Sequence, residues 1–208
     1  MKFPCTGVIL AGGLNTRLPG RAKAFLNIGG VMNIQHIYEL FKELFEEIIL
    51  VTNSPLEYLE WDLNIVTDLL PVRSSLTGIY SGLFYTTNPY AFVVACDTPF
   101  LKKEVLEVVL EGIESGIDVV IPETSKGMEP LCAAYSKKCL EPVKQQLVQR
   151  EFKIQRFFKK IRFKTISENV LRKKDPELLS FFNINTPDQL EIAEKIFLKV
   201  KTIEGIDG

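Results

Sequence analysis

The chain has 208 residues, 46% of them apolar and 25% charged, ordinary globular proportions that argue against a disordered chain or a coiled coil. Its 25 basic and 26 acidic side chains leave a net charge of −1, which argues against a nucleic-acid partner, although a small anion needs only a local cluster of cations. The single histidine, His36, and four cysteines (Cys5, Cys96, Cys132, Cys139) without a C-x-x-C pair cannot assemble a zinc site. They read as reduced thiols in a cytoplasmic protein. No apolar run approaches the roughly 20 residues that span a bilayer, so no membrane partner is expected.

Strand and helix patterns alternate. Residues 6–11 (TGVILA) form an apolar strand, and residues 32–45 (MNIQHIYELFKELF) place Ile34, Ile37, Tyr38, Phe41, Leu44 and Phe45 at helical spacing. Residues 48–52 (IILVT) give a second strand closed by Asn53-Ser54-Pro55, residues 65–67 a short third, residues 78–85 a helix, and residues 91–95 (AFVVA) a fourth strand running into Cys96-Asp97-Thr98-Pro99. A helix is expected over 103–115, strands over 118–121 and 131–135, helices over 137–147 and 154–160, and a weak strand over 163–166. Thr186-Pro187-Asp188-Gln189 opens the last helix: Thr186 caps it, Pro187 suits its first position and Gln189 completes a capping box. That helix is expected to fray after Lys199.

Continuously apolar strands alternating with helices predict an α/β fold, a mostly parallel sheet with helices on both faces. One domain over residues 1–208 accounts for the pattern, with a less regular lobe at about 128–182, where the alternation loosens.

In such sheets ligands sit beyond the carboxyl ends of the strands. After the first strand come Gly12 and Gly13, then Arg17, Arg21 and Lys23. Glycines let backbone N–H groups approach an anion, arginine offers a planar fork and lysine a mobile point charge, so the stretch reads as a polyphosphate cradle. It is neither a Walker loop, since Arg21-Ala22 follows Gly20, nor a G-x-G-x-x-G turn. The plainer alternative is a glycine turn beside solvated cations. Asp97, straight after a strand, is either a turn cap or a Mg²⁺ ligand, an ion that takes one or two carboxylates and fills its shell with water and phosphate oxygens. Asp68 and Asn53, also just past strands, suit either a turn or the edge of a nucleobase. Asn183 and Asn185 suit either a cap or a substrate phosphate.

The segments LAGGLNTRLPGRAKAFL, TDLLPVRSSLTGIYSGL, VVACDTPFL, EPLCAAY and FFNINTPDQL together resemble the molybdenum cofactor guanylyltransferases, within the nucleotidyltransferase superfamily, over roughly residues 6–197. The resemblance implies a three-layer Rossmann-like nucleotidyltransferase fold. It also implies transfer of GMP from GTP to the phosphate of molybdopterin or Mo-molybdopterin, with release of pyrophosphate and Mg²⁺ as cofactor. Carried over to this chain, Arg17, Lys23 and Asp97 are catalytic. Leu10, Ala11, Gly12, Gly13, Lys23, Asn53, Asp68 and Asp97 hold the nucleotide, Asp68 reading guanine and Asp97 holding the metal. Arg17, Gly78, Asn183 and Asn185 face the pterin. A cytoplasmic monomer is implied, with cofactor-delivery proteins or apo-molybdoenzymes as further partners. The alternatives are a sister nucleotidyltransferase acting on a sugar phosphate or another phosphorylated small molecule, and a non-catalytic nucleotide-binding module.

Two features stand apart. Leu18-Pro19 replaces the Met-Gly common in the family, and proline has no N–H to offer a phosphate. Residues 149–172 (QREFKIQRFFKKIRFKTISENVLR) are unusually basic, which suits a solvated surface, attraction of the anionic pterin or docking of a partner. His36, on the apolar face of its helix, reads as a packing residue.

Overall fold

The computed structural model describes residues 2–12 and 23–204. In chain order these form β1 (Phe3–Leu10), a short hairpin of β2 (Asn27–Ile28) and β3 (Val31–Met32), α1 (Asn33–Leu44), β4 (Phe45–Val51) and β5 (Asn64–Val66). There follow α2 (Ser75–Tyr85), β6 (Tyr90–Ala95), α3 (Lys103–Glu111), β7 (Val119–Thr124), β8 (Gly127–Met128) and β9 (Cys132–Ser136). The chain continues through α4 (Leu140–Val148), β10 (Phe163–Ser167), α5 (Glu168–Arg172) and α6 (Pro187–Glu204).

The main sheet runs β10-β7-β9-β6-β1-β4-β5, with β8 alongside β7. β1 pairs parallel with both β4 and β6, β4 with β5, and β7 with β10; β9 runs antiparallel between β6 and β7. The mostly parallel sheet expected from the apolar strands is therefore present, with helices on both faces.

Alternation along each strand feeds two cores. On one face Ile9, Phe92 and Val94 pack with Ile34, Ile37, Phe41 and Leu44 of α1, Val105, Leu106 and Val109 of α3, and Leu171 of α5. On the other, Val8, Leu10, Ala91 and Val93 pack with Leu76, Ile79 and Leu83 of α2, Val143 and Leu147 of α4, and Phe157 and Phe158. Helix α2 lies close to the sheet because Gly82 faces β1: a Cβ there would come within 2.5 Å of Val8 Cγ1. A third, smaller cluster joins Leu26 and Ile28 of the hairpin region to Ile184 and Ala193. At Gly29 the backbone is left-handed (φ +62°) and a Cβ would collide with the Phe197 ring, so glycine is needed there twice over.

Several boundaries differ from the periodic pattern. Helix α2 starts at Ser75 rather than 78, because the Ser74 hydroxyl accepts the Thr77 N–H at 3.1 Å and caps it. Helix α3 stops at Glu111, four residues early, at the Gly112 C-cap. Residues 154–160 coil as a 3₁₀ helix, a distinction the apolar spacing does not resolve. Helix α6 runs to Glu204, with neither glycine nor proline interrupting it before Gly205. The β2–β3 hairpin, β8 and α5 are too short to show a period. Residues 128–182 contribute β9, α4, β10 and α5 to the same sheet and cores.

Candidate active site

The parallel strands β1, β4, β5 and β6 all end on one edge, and the chain is stitched together just beyond them. The Ala11 N–H donates to the Val51 carbonyl at 2.9 Å, Thr52 N–H to Val66 at 2.9 Å, and Cys96 N–H to Leu10 at 3.0 Å. These bonds carry the parallel ladder one residue past each strand and hold Ala11 and Asp97 at a cleft of about 270 Å³, with Asn53 just behind it.

The cleft floor is Leu10, Ala11, Gly12, Val51, Ala95 and Cys96; its polar lining is Lys23, Asp68, Ser74, Ser75, Asp97, Asn183 and Asn185, and Gly78 and Leu131 complete the walls. Gly78 is a close approach of helix to strand, since a Cβ there would lie 3.2 Å from Leu10 Cδ2. Nine residues singled out in the sequence therefore converge on one cleft: Leu10, Ala11, Gly12, Lys23, Asp68, Gly78, Asp97, Asn183 and Asn185. Gly13, Arg17, Leu18, Pro19 and Arg21 lie outside the described residues.

At the centre, the Lys23 ammonium donates to Asp97 Oδ2 at 3.0 Å and to the Asn185 side-chain carbonyl. Three segments far apart in sequence thus meet on one cation. Lys23 is held from behind by Asn33, a buried residue whose side-chain amide donates to the Lys23 carbonyl at 3.2 Å and whose N–H donates to Leu26. Asp97 is held by its own carbonyl, which accepts the Ile184 N–H at 2.9 Å, and by Thr98, whose hydroxyl donates to the Ala95 carbonyl. Asn185 is fixed by the capping box anticipated at α6. Gln189 Oε1 accepts the N–H groups of Asn185 and Thr186 at 2.7 and 3.1 Å, while the Gln189 N–H donates to the Thr186 hydroxyl at 3.3 Å.

On the β5 side, the Asn53 amide donates to Asp68 Oδ2 at 2.7 Å. Asn53 does not line the cleft itself; it braces the carboxylate that does. Burial raises the Asp68 carboxyl above its ordinary range, opposed by the Asn53 hydrogen bond and the positive charge of Arg73. Burial also pushes the Cys96 thiol up to about 12, with Asp97 adding to the rise and Lys23 opposing it, so Cys96 supplies no thiolate nucleophile at neutral pH.

Asp97 accepts Lys23 through Oδ2, leaving Oδ1 without a protein partner among the described residues. No group of three or more His, Cys, Asp or Glu gathers there or elsewhere among the described residues. A cation at Asp97 would therefore take most of its ligands from water and phosphate oxygens, which suits Mg²⁺ and not a metal that needs an all-protein cage.

Sequence reasoning missed Ser74 and Ser75 at the start of α2 and Leu131 before β9; only the S-x-x-T cap spacing at 74–77 marks the first of these. His36 is half-buried, and its Nε2 sits 2.8 Å from the Leu101 carbonyl, away from the cleft. The basic stretch lies elsewhere too. Arg156, Lys159 and Lys160 line a separate depression with Pro142, Gln146 and Phe157 that shares no residue with the main cleft.

A family model described as the MobA-like NTP transferase domain matches residues 7–165. The chain is 47% identical over 189 residues to the molybdenum cofactor guanylyltransferase of Desulfosudis oleivorans, covering 91% of this chain and 94% of that one. Among solved structures it is similar to molybdopterin-guanine dinucleotide biosynthesis protein A from Archaeoglobus fulgidus (TM-score 0.82, 31% identity, 93% of this chain and 99% of that one). The 4-diphosphocytidyl-2C-methyl-D-erythritol synthase of Anaerococcus prevotii shares the fold at TM-score 0.69 and 18% identity, over 95% and 96% of the two chains.

Proposed function

The chain belongs to the MobA-like NTP transferase family, and on that premise we propose that it is a molybdenum cofactor guanylyltransferase. It transfers GMP from GTP to the phosphate of molybdopterin, or of its molybdenum-loaded form, and releases pyrophosphate. The observation that carries this reading is the convergence of Lys23, Asp97 and Asn185 at the strand ends, flanked on the β5 side by the braced Asp68 carboxylate.

The chemistry asks little of the protein in proton transfer. The nucleophile is an oxygen of the acceptor's phosphate monoester, already anionic at neutral pH. It forms a bond to the α-phosphorus of GTP while the bond from that phosphorus to the bridging oxygen breaks, and the electron pair leaves on pyrophosphate. Positioning and charge neutralisation are the main demands. Lys23, held at the centre of the cleft, neutralises the phosphates there. When bound, Mg²⁺ on Asp97 would supply further charge neutralisation on the phosphates and the leaving pyrophosphate. Leu10, Ala11 and Gly12 line the nucleoside side through backbone. Asp68 presents an acceptor to the N1–H and N2–H donors of guanine, and Asn53 holds that carboxylate in place. Gly78, Asn183 and Asn185 border the acceptor side.

The same reading makes this a Mg²⁺-dependent, cytoplasmic, monomeric enzyme, with cofactor-delivery proteins or apo-molybdoenzymes as partners. No helix among the described residues is long and apolar enough to cross a membrane. Arg17 and Gly13 complete the phosphate cradle in this proposal. Pyrophosphate release with Mg²⁺ and each of GTP, CTP, UTP and ATP, with and without molybdopterin, tests it. GTP-selective release that needs the pterin is the expected result. Pterin-independent release with another nucleotide would move the acceptor to a sugar phosphate.

A further inference from the structure

One buried charge is not explained by the cleft. Asp175 has 0% exposure, in the charged stretch KKDPELL. Burying a carboxylate is costly unless charge and hydrogen bonds compensate it. Here Oδ2 accepts the Ser180 N–H at 2.7 Å, while the Lys102 ammonium lies 3.1 Å from Oδ1. That ammonium is out of line for a hydrogen bond, so Oδ1 is held by charge alone.

The partners of Asp175 belong to the two segments that form the cleft centre. Lys102 follows Asp97 by five residues, and Ser180 precedes Asn183 and Asn185 by three and five. The two segments are tied again through the Ser180 hydroxyl, which accepts the Lys102 N–H at 3.1 Å and donates to the Phe100 carbonyl at 3.5 Å. The Asp175 carbonyl accepts the Leu178 N–H at 2.9 Å, and Leu178 is left-handed (φ 54°, ψ 34°), an unusual conformation for a branched residue that turns the chain toward Ser180. Four residues on, the Ile184 N–H reaches the Asp97 carbonyl. Asp175 and Ser180 thus anchor the chain just before the point where Asn185 and Asp97 share the Lys23 ammonium.

We propose that Asp175, acting through Ser180 and Lys102, is a positioning residue that sets Asn183 and Asn185 against Asp97. It touches no substrate. The proposal rests on the guanylyltransferase reading for its kinetic consequence, but its positional consequence is independent of that reading. Misplacement of catalytic groups by about 1 Å costs about 100-fold in rate, and that is the loss expected for acceptor-dependent turnover in Asp175→Asn, with GTP affinity retained. Ser180→Ala removes only the hydroxyl tie and should act in the same direction more weakly. A positional readout separates this from general destabilisation. The side-chain amide resonances of Asn183 and Asn185 should shift in both variants, while the methyl resonances of Val8, Leu76 and Ile79, on the far face of the sheet, stay in place. Asn183 and Asn185 signals that do not move, or methyl shifts spread evenly over both faces, would overturn the proposal. If the wild-type protein transfers no GMP to molybdopterin yet the amide signals move as stated, the functional reading fails and the positioning stands.

Discussion

Replacing Asp68 by Asn is the sharpest probe of nucleobase reading, because it keeps the shape of the side chain while removing its charge and turning one acceptor oxygen into an amide donor. Asn53 occupies Oδ2 at 2.7 Å, so on the proposed reading Oδ1 would be the acceptor for guanine. A hydrogen bond to a charged group is worth about 1.5–3 kcal/mol, and about 1.4 kcal/mol is a tenfold change. GTP use, as kcat/KM, should therefore fall roughly ten- to 150-fold. The informative comparison is with inosine triphosphate, which lacks the 2-amino group. Wild-type protein should prefer GTP, and Asp68→Asn should lose most of that preference, read from initial rates of pyrophosphate release. The same carboxylate sets a pH dependence. Burial raises its pKa, so the acceptor form is lost at a higher pH than for an ordinary aspartate. KM for GTP should climb as pH falls through that raised value, and the variant should flatten the climb. A variant that keeps the full GTP preference would refute the assignment of Asp68 to the base.

Three further outcomes follow from the packing and the charges. Lys23→Met removes the cation shared by Asp97 and Asn185; kcat should fall on the order of 10²–10³, the scale for losing one preorganised electrostatic group, with circular dichroism unchanged. Gly82→Ala drives a methyl to 2.5 Å from Val8 Cγ1. Overpacking costs about 1–3 kcal/mol, and calorimetry should show Tm falling by about 2–4 °C for each kcal/mol lost. Burial pushes the Glu47 carboxyl up, but hydrogen bonds from Thr6, Thr87 and Thr86 outweigh it and hold its pKa below the usual value. A depressed folded pKa stabilises when the group is ionised, and that contribution fades as pH drops below its ordinary value of 4.5. Glu47→Gln should thus lower Tm at pH 7 and match wild type at strongly acid pH.

The strands and most helices were legible because each carries an unbroken apolar run or a clear period, and β1 and β6 could be seen to end just short of Gly12 and Asp97. Asn53, Asp68 and Asp97 were also visible as polar residues just past strands, and Asn183 and Asn185 as polar residues just before the capped last helix. Their convergence was not, since Lys23 meets partners 74 and 162 residues away, and only the sheet order brings them together. Asn33 and Asp175 were invisible for a different reason. Asn33 is a polar residue within an amphipathic helix and Asp175 one within a charged stretch, and their burial follows from tertiary packing rather than local pattern. Asn53 was readable as a polar residue past β4, but its role as a brace depends on the separate course of residues 64–68. The 3₁₀ coil at 154–160 was out of reach because both helix types give nearly the same apolar spacing over seven residues.

The most direct test of the central claim follows the atoms. Protein incubated with Mg²⁺, molybdopterin and GTP labelled at the α-phosphate should place the label in a pterin–guanine dinucleotide, with one pyrophosphate released for each dinucleotide formed. Label that stays in GTP, or appears in free GMP while the pterin is unmodified, would contradict the account.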